Sequence, residues 1–454
     1  MINAGPRLVP IGIFFVAILA CSYAAATFSP VTTLMVAVAF AVGLATLVSP
    51  EFGLSLIIIS SLFSPELVLF QSSRRGASIR VEDFVLMSVT FTWLATTAIR
   101  KHLAVIRPSP LNRYIGFFSA VCIISSANAI MAERVDMLAG SLFLLKYLEY
   151  FFLFLMVNNL IESESQIRRL INVFLATVSV SAVFRYFYIG TVARVAGPLG
   201  SLESDESNTV AAYDVLALFI MIGMSIYARE GIRKMRLAFL ALLLIPPFIF
   251  TLSRGGYAAA VAGALALLGY AKGKRRLVGG MLGVALIIGI VWKPEIVWKR
   301  VAETMDPSGL EFKIMGVPLV LDPSAGARIG FLLRSLNIDI PQYPLFGVGV
   351  AVPYIIDSMP ARLLAEVGLL GTLAFILLIG KILIVGKKIR EEFQGRWMEG
   401  LAVGYLVGVI ALLVHGVSAA TFFLIRPMIA FWLLTGLIIA GHRIEGQNAD
   451  IQRE

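Results

Sequence analysis

Residues 361–390 read ARLLAEVGLLGTLAFILLIGKILIVGKKIR, an apolar run that stops at Lys387, Lys388 and Arg390. An α-helix crosses a hydrocarbon core about 30 Å thick in about 20 residues, so a run of this length fits a bilayer. The basic cluster behind it is the mark of a cytoplasmic helix end. Working outward, the rest of the chain repeats the pattern: 59% of its 454 residues are hydrophobic and only 15% are charged. A soluble domain of that composition would leave much apolar area in water. The sequence therefore predicts an all-α, polytopic transmembrane helical bundle.

Apolar runs bounded by Gly, Pro or charge give about 12–14 spans. They lie near Val9–Phe28, Val31–Val48, Leu54–Phe70, Phe84–Ile99, Arg113–Met131, Leu138–Val157 and Leu170–Ile189. The series continues with Ala211–Tyr227, Leu237–Leu252, Tyr257–Ala271, Leu277–Trp292, Ala361–Val385, Gly400–Val417 and Phe422–Ala440. Leu54–Phe70 and the pair flanking Ser253 are the shortest-argued of these. The first run follows Arg7 and ends in Ala24-Ala25-Ala26, which a signal peptidase can also read; a retained helix is expected.

Basic residues fall in alternate loops: Arg100, Lys101, Arg107 and Arg113; Arg168 and Arg169; Arg229 to Arg236; 272–276; and Lys387 to Arg390. This places those loops and both termini in the cytoplasm of a bacterial inner membrane. The net charge of +10 is spent on that alternation and forms no aromatic-interleaved patch, so nucleic acid is not an expected partner. Cys21 and Cys122 lie inside apolar runs and argue for neither disulfide nor metal. The chain divides into an N-terminal transmembrane bundle (1–292), a long periplasmic loop with a surface helix (293–360), and C-terminal helices with a cytoplasmic tail (361–454). In the loop, Ile329, Leu332, Leu333 and Leu336 form a helical apolar stripe, suited equally to the membrane surface or to packing on the bundle.

Arginines on the side that should lack positive charge call for a reason. They are Arg74, Arg75, Arg80, Arg194, Arg254, Arg328, Arg334, Arg362 and Arg426. A guanidinium grips phosphate bidentately and keeps its proton, which suits it to a diphosphate beside lipid. Arg254 follows Ser253 between two apolar runs, behind Pro246-Pro247, where the prolines are expected to break helical bonding. Arg328 is expected to open the surface helix, with Arg334 pointing away; Arg194 lies in a Gly/Pro turn ahead of Asn208. Asp357 precedes a helix starting near Pro360, capped by Ser358 or Met359, and can act as a general base or as a capping carboxylate. Arg362 and Glu366 sit one turn apart and can pair, as can Lys146 and Glu149. His415 reads first as a buried structural histidine, and Gly347-Val-Gly349 as a turn without a nucleotide-binding pattern.

In this order, Lys146-Tyr-Leu-Glu149, Arg194…Gly197…Asn208, Thr251-Leu-Ser-Arg-Gly-Gly, Arg328, Tyr343-Pro-Leu-Phe-Gly-Val-Gly, Glu366-Val-Gly-Leu-Leu-Gly and His415-Gly resemble the O-antigen ligase and polymerase superfamily of bacterial membrane glycosyltransferases. The resemblance implies a type C glycosyltransferase-like fold and an inverting enzyme. Its donor would be an undecaprenyl-diphosphate-linked glycan and its acceptor a sugar hydroxyl, with no metal or other cofactor. It implies catalytic roles for Arg254, Arg328 and Asp357. Substrate contacts would fall to Arg194, Asn208, Arg80, Ser253, Arg362, Glu366 and His415. The ligases carry His-Asn where this chain has Asp357-Ser358, which favours a polymerase of O-antigen or exopolysaccharide repeat units over a ligase to lipid A-core. A chain-length regulator or export complex is the expected protein partner. A lipid-linked-oligosaccharide flippase is the rival from another class; it predicts internal repeats and charges at the midplane, and neither pattern is evident here.

Overall fold

In this computed structural model the described residues are 49–64, 66–71, 76–99, 106–197, 206–271, 310–314, 317–351 and 356–451, with isolated residues between 42 and 46 and between 273 and 303. The expected span Val9–Phe28, most of Val31–Val48 and Leu277–Trp292, the Ala24–Ala26 site, Arg74 and Arg75 lie outside them.

Twelve labelled helices and two hairpins follow the chain: α1 Pro50–Phe63, β1 Glu66–Gln71, β2 Gly76–Arg80, α2 Val81–Ile99, α3 Asn112–Met131, α4 Met137–Leu160, α5 Glu164–Tyr186 and α6 Glu206–Tyr227. Then come α7 Gly231–Ile249, α8 Arg254–Tyr270, β3 Leu310–Ile314, β4 Val317–Leu321, α9 Pro323–Arg334, α10 Met359–Glu392, α11 Trp397–Ser418 and α12 Ile425–Ile451. Among the described residues, 7 helices are long and apolar enough to cross a membrane: α3 to α6 and α10 to α12. Phe91, Ile124, Val180, Phe239, Val261 and Ile376 are exposed on helix faces. An apolar surface of that extent is unstable in water and is the surface a bilayer covers.

Lipid tails are as apolar as leucine, so helices associate there by close packing and polar contacts. The α6–α11 pair shows the device. Gly400, Gly404 and Gly408 recur every fourth residue on one face of α11, and a Cβ on Gly404 would stand 2.4 Å from the Phe219 carbonyl oxygen. α6 and α12 are buried almost throughout and form the axis, whereas α3, α4 and α10 show a face to the outside.

The expected span Leu54–Phe70 is not one helix. α1 stops at Phe63, Ser64 turns extended, and the chain returns as the antiparallel β1–β2 hairpin. Pro65 explains the stop, because proline disfavours the helical region for the residue before it. Nor do Pro246 and Pro247 break the chain before the helix end: α7 runs through both to Ile249. Pro247 cannot donate to the carbonyl of Leu243, and the Tyr186 hydroxyl donates to that oxygen instead, at 3.0 Å.

The basic loops gather at one end of the bundle. There Arg107 pairs with Glu162 at 3.0 Å, Arg390 donates to the Tyr270 carbonyl at 2.9 Å, and Arg229 donates to the Gly395 carbonyl. α9, the start of α8 and the start of α10 meet at the opposite end. α9 packs on the bundle through Phe331 and Leu332, against Ile356, Ala361 and Ala365, while Leu333 and Leu336 stay exposed. Arg328 does not open this helix: Asp322 caps it and Pro323 begins it, which puts Arg328 in its second turn.

α10 is broken at Gly368, whose φ of 66° and ψ of −163° are not helical. The turn at 343–349 fills the break. Val348 N–H donates to Ala365 O at 2.7 Å and Gly349 N–H to Glu366 O at 3.2 Å; Leu369 and Leu370 N–H donate to Pro344 O and Leu345 O at 2.9 and 3.1 Å. Every backbone group those bonds pair would otherwise be unsatisfied inside an apolar bundle. Gly347 and Gly368 meet face to face, each leaving only 2.6 Å for a Cβ against the other segment's backbone.

Candidate active site

One helix joins the two arginines singled out for catalysis. At its N-terminus the Asp322 carboxylate does two things: Oδ1 accepts the Ala325 N–H at 3.0 Å, and Oδ2 accepts Arg254 Nη2 at 2.6 Å. Two turns on, Arg328 Nη2 reaches Asp357 Oδ2 at 3.3 Å while its Nε donates to the Asp357 carbonyl, also at 3.3 Å. The six steps from Asp322 to Arg328 amount to about 9 Å of helix rise, so both ion pairs are held by one short helix.

Arg254 is fixed by the way α8 starts. Ser253 caps the helix, its Oγ accepting the Gly256 N–H at 3.2 Å and donating to Asn208 Oδ1 at 2.9 Å. The same Asn208 oxygen accepts Arg194 Nη2 at 3.1 Å, and Arg194 Nε donates to the Thr251 carbonyl at 3.0 Å. Arg194, Asn208, Ser253 and Arg254 therefore form one connected polar group. Arg426 borders it: it is fully buried, and a Cβ on Gly197 would lie 2.1 Å from its Nη1.

The end of α11 ties this group to Asp357. Ser358 Oγ donates to the Val417 carbonyl at 3.2 Å, so the residue after Asp357 is anchored there. Gly255, the residue after Arg254, leaves no room for a Cβ against Ser418 and lies 3.6 Å, measured from that Cβ position, from His415 Cδ2. His415 is buried, with Nδ1 2.7 Å from Thr421 Oγ1. Asp357 does not cap α10: Ser358 holds the cap position without a side-chain bond, and the Asp357 carboxylate turns to Arg328.

Asp357 and Glu366 flank the start of α10, and exposure separates them. The Asp357 side chain is 48% exposed, whereas Glu366 is 0% exposed. Glu366 accepts the Tyr147 hydroxyl at 2.5 Å and pairs with Arg362 at 3.2 Å, and the Tyr147 ring stacks on Phe423 at 4.2 Å. Arg362 and Glu366 thus pair as their spacing predicts, inside a closed knot. Lys146 lies 3.5 Å from Glu149 but also bonds Asp83 on α2. Arg80 ends β2 opposite Glu66, and its side chain lies outside the described residues. Arg334 is half exposed, 3.9 Å from Asp339.

Asp322 was not among the sequence candidates, although Asp followed by Pro is a helix-start signal. Burial alone would raise its carboxyl; the hydrogen bond from Arg254, the Ala325 N–H and the charges of Arg254 and Arg300 outweigh that and hold it below the usual carboxylate range. A depressed carboxyl stabilises the fold above its unfolded pKa of about 3.9, and the contribution is lost only as pH falls through the lower folded value. Hydrogen exchange over 323–334 should therefore stay slow down to about pH 4 and accelerate below it. Acceleration already at pH 6 would refute the link.

Compared with models of known families and with curated proteins, the chain matches none.

Proposed function

We propose that this protein is an inverting membrane glycosyltransferase that polymerises undecaprenyl-diphosphate-linked oligosaccharide repeat units at the periplasmic face of a bacterial inner membrane. The observation that carries this reading is the single α9 helix holding Arg254 through Asp322 and Asp357 through Arg328, at the end opposite the basic loops. Two guanidiniums and an accessible carboxylate held by one helix are groups that displacement of a diphosphate by a hydroxyl can use.

In the reaction the acceptor hydroxyl gives its proton to the Asp357 carboxylate as its oxygen attacks the anomeric carbon from the side opposite the leaving group. The bond from that carbon to the diphosphate oxygen breaks, and its electron pair leaves with the lipid diphosphate. Arg254 and Arg328 stabilise the charge that gathers there, in a site where low dielectric strengthens the attraction. Arg328 has to release Asp357 to do so, and at 3.3 Å to a half-exposed carboxylate that contact is weak enough to exchange. Ser253, Asn208 and Arg194 keep Arg254 in position.

The test is product formation by the purified full chain in liposomes given a lipid-diphosphate repeat unit. Ladders of extended lipid-linked glycan are expected. Asp357→Asn should cut the rate by about 10²–10⁴-fold, the usual contribution of a general base. If the parent leaves the donor unextended with either a repeat unit or a lipid A-core acceptor, yet moves it across the bilayer, the protein is a transporter.

A further inference from the structure

At the basic end of the bundle, remote from Asp357, lies a cavity of about 370 Å³ between the starts of α5, α7 and α11. Its walls carry Arg168, Arg229, Arg233, Arg396 and Trp397, with the carboxylates of Glu164, Glu230 and Glu445. The four guanidiniums are not equally compensated. Arg168 is held by Glu164 at 2.6 Å, and Arg396 pairs with Glu445. Among the described residues Arg229 bonds the neutral carbonyl of Gly395, and Arg233 is influenced by the nearby Glu230 carboxylate without forming an ion pair with it.

The Glu164 carboxylate is already occupied. Its Oε1 accepts Arg168 Nε and Nη2 at 3.0 and 2.6 Å and also the Trp397 indole N–H. It therefore orients Arg168 and Trp397 and has little left for Arg233. Both guanidiniums lie over the one indole, Arg168 at 4.3 Å and Arg233 at 5.8 Å from its centroid. Like charges gathered on one ring are unfavourable unless an anion joins them. α7 adds to the same potential, since its N-terminal N–H groups open beside the cavity without a side-chain cap.

The geometry points to a phosphate-binding site here, in which the Arg229 and Arg233 guanidiniums and the uncapped start of α7 take a phosphate mono- or diester with Trp397 as its floor. A planar fork matches phosphate oxygens two at a time, and a wall of four forks in a recess this size holds one phosphate group with its first substituent. Two sources carry that chemistry: the headgroup of an anionic phospholipid, and a soluble phosphate compound on the same side of the membrane. The site is separate from the proposed transfer chemistry and stands or falls without it.

The test uses the full chain carrying 5-fluorotryptophan, with the Trp397 ¹⁹F resonance assigned by Trp397→Phe. In one arm the protein sits in phosphatidylcholine nanodiscs and inorganic phosphate is titrated. In the other, phosphatidylglycerol replaces part of the phosphatidylcholine in phosphate-free buffer. A saturable shift of the Trp397 signal is expected: in the first arm the source is a soluble phosphate, in the second a lipid headgroup. Arg233→Gln should move the midpoint about tenfold higher, the loss of one charge-assisted contact, and Arg233→Lys should recover part of it. Arg254→Ala should leave the titration unchanged, which separates this site from the proposed active site. Arg233 makes no ion pair among the described residues and lies 5.8 Å from the Trp397 ring centroid, so its variants are expected to keep their melting point. No saturable shift in either arm, or an equal shift in Arg233→Gln, overturns the proposal.

Discussion

Alanine in place of Arg254 is expected to lower the proposed glycosyl transfer by about 10²–10³-fold, with most of the loss in kcat. The reason lies in when its contact forms. A guanidinium that meets the leaving diphosphate binds it more strongly as charge develops, and an interaction strengthened only in the transition state appears in kcat. Arg254→Lys should recover little, because an ammonium cannot make the bidentate contact. Asp322 supplies the control. Asp322→Asn keeps a capping oxygen for Ala325 but weakens the hold on Arg254, so it should cost only about tenfold. Equal losses in Arg254→Ala and Asp322→Asn, measured on the same lipid-linked donor, would make Arg254 a structural tie and remove it from the chemistry.

The second large effect concerns stability. Arg185 on α5 and Asp214 on α6 form a bidentate pair at 2.6 and 2.9 Å, and their side chains are 0% and 1% exposed. Removing one partner leaves an uncompensated charge in the bundle. Asp214→Ala should destabilise by about 3–5 kcal/mol, read as a lower midpoint in denaturant titrations from mixed micelles. Substituting both, as Arg185→Met with Asp214→Leu, should restore most of that, since a well-packed apolar pair does without the desolvation cost. A double variant as unstable as the single one would show that the pair does more than neutralise itself.

Neither of those residues stood out in the sequence, and the reason is physical. Arg185 and Asp214 lie on different helices joined by a loop, with no partner at helical spacing to flag them. Arg362 and Glu366 were legible because their contact is local, four residues apart on one helix; the Tyr147 hydroxyl that completes their knot arrives from α4 and was not. The same division holds for the fold. Helices such as α3, α6 and α11 follow from apolar length alone. The β1–β2 hairpin was hidden because Glu66–Gln71 continues an apolar run, and only Pro65 marks the change. Arg194 with Asn208 and Ser253 with Arg254 were named as two separate pairs. That Asn208 joins them could not be read, since its oxygen bridges two loops through tertiary contact.

The break in α10 has a consequence for how the mouth can move. Because Gly349 is bonded back to Glu366, the chain from 349 to 366 is closed on itself by hydrogen bonds, with Asp357 inside the closed stretch. Mechanically it behaves as a stirrup hung from one helix: its two legs share an attachment, so pulling on either draws the carboxylate and the first turns of α10 together. Evolution would meet the same constraint. An inserted residue between 343 and 349 shifts which amide faces which carbonyl and dismantles the joint at Gly368. The register at 343–349 therefore sets the height at which the Asp357 carboxylate stands.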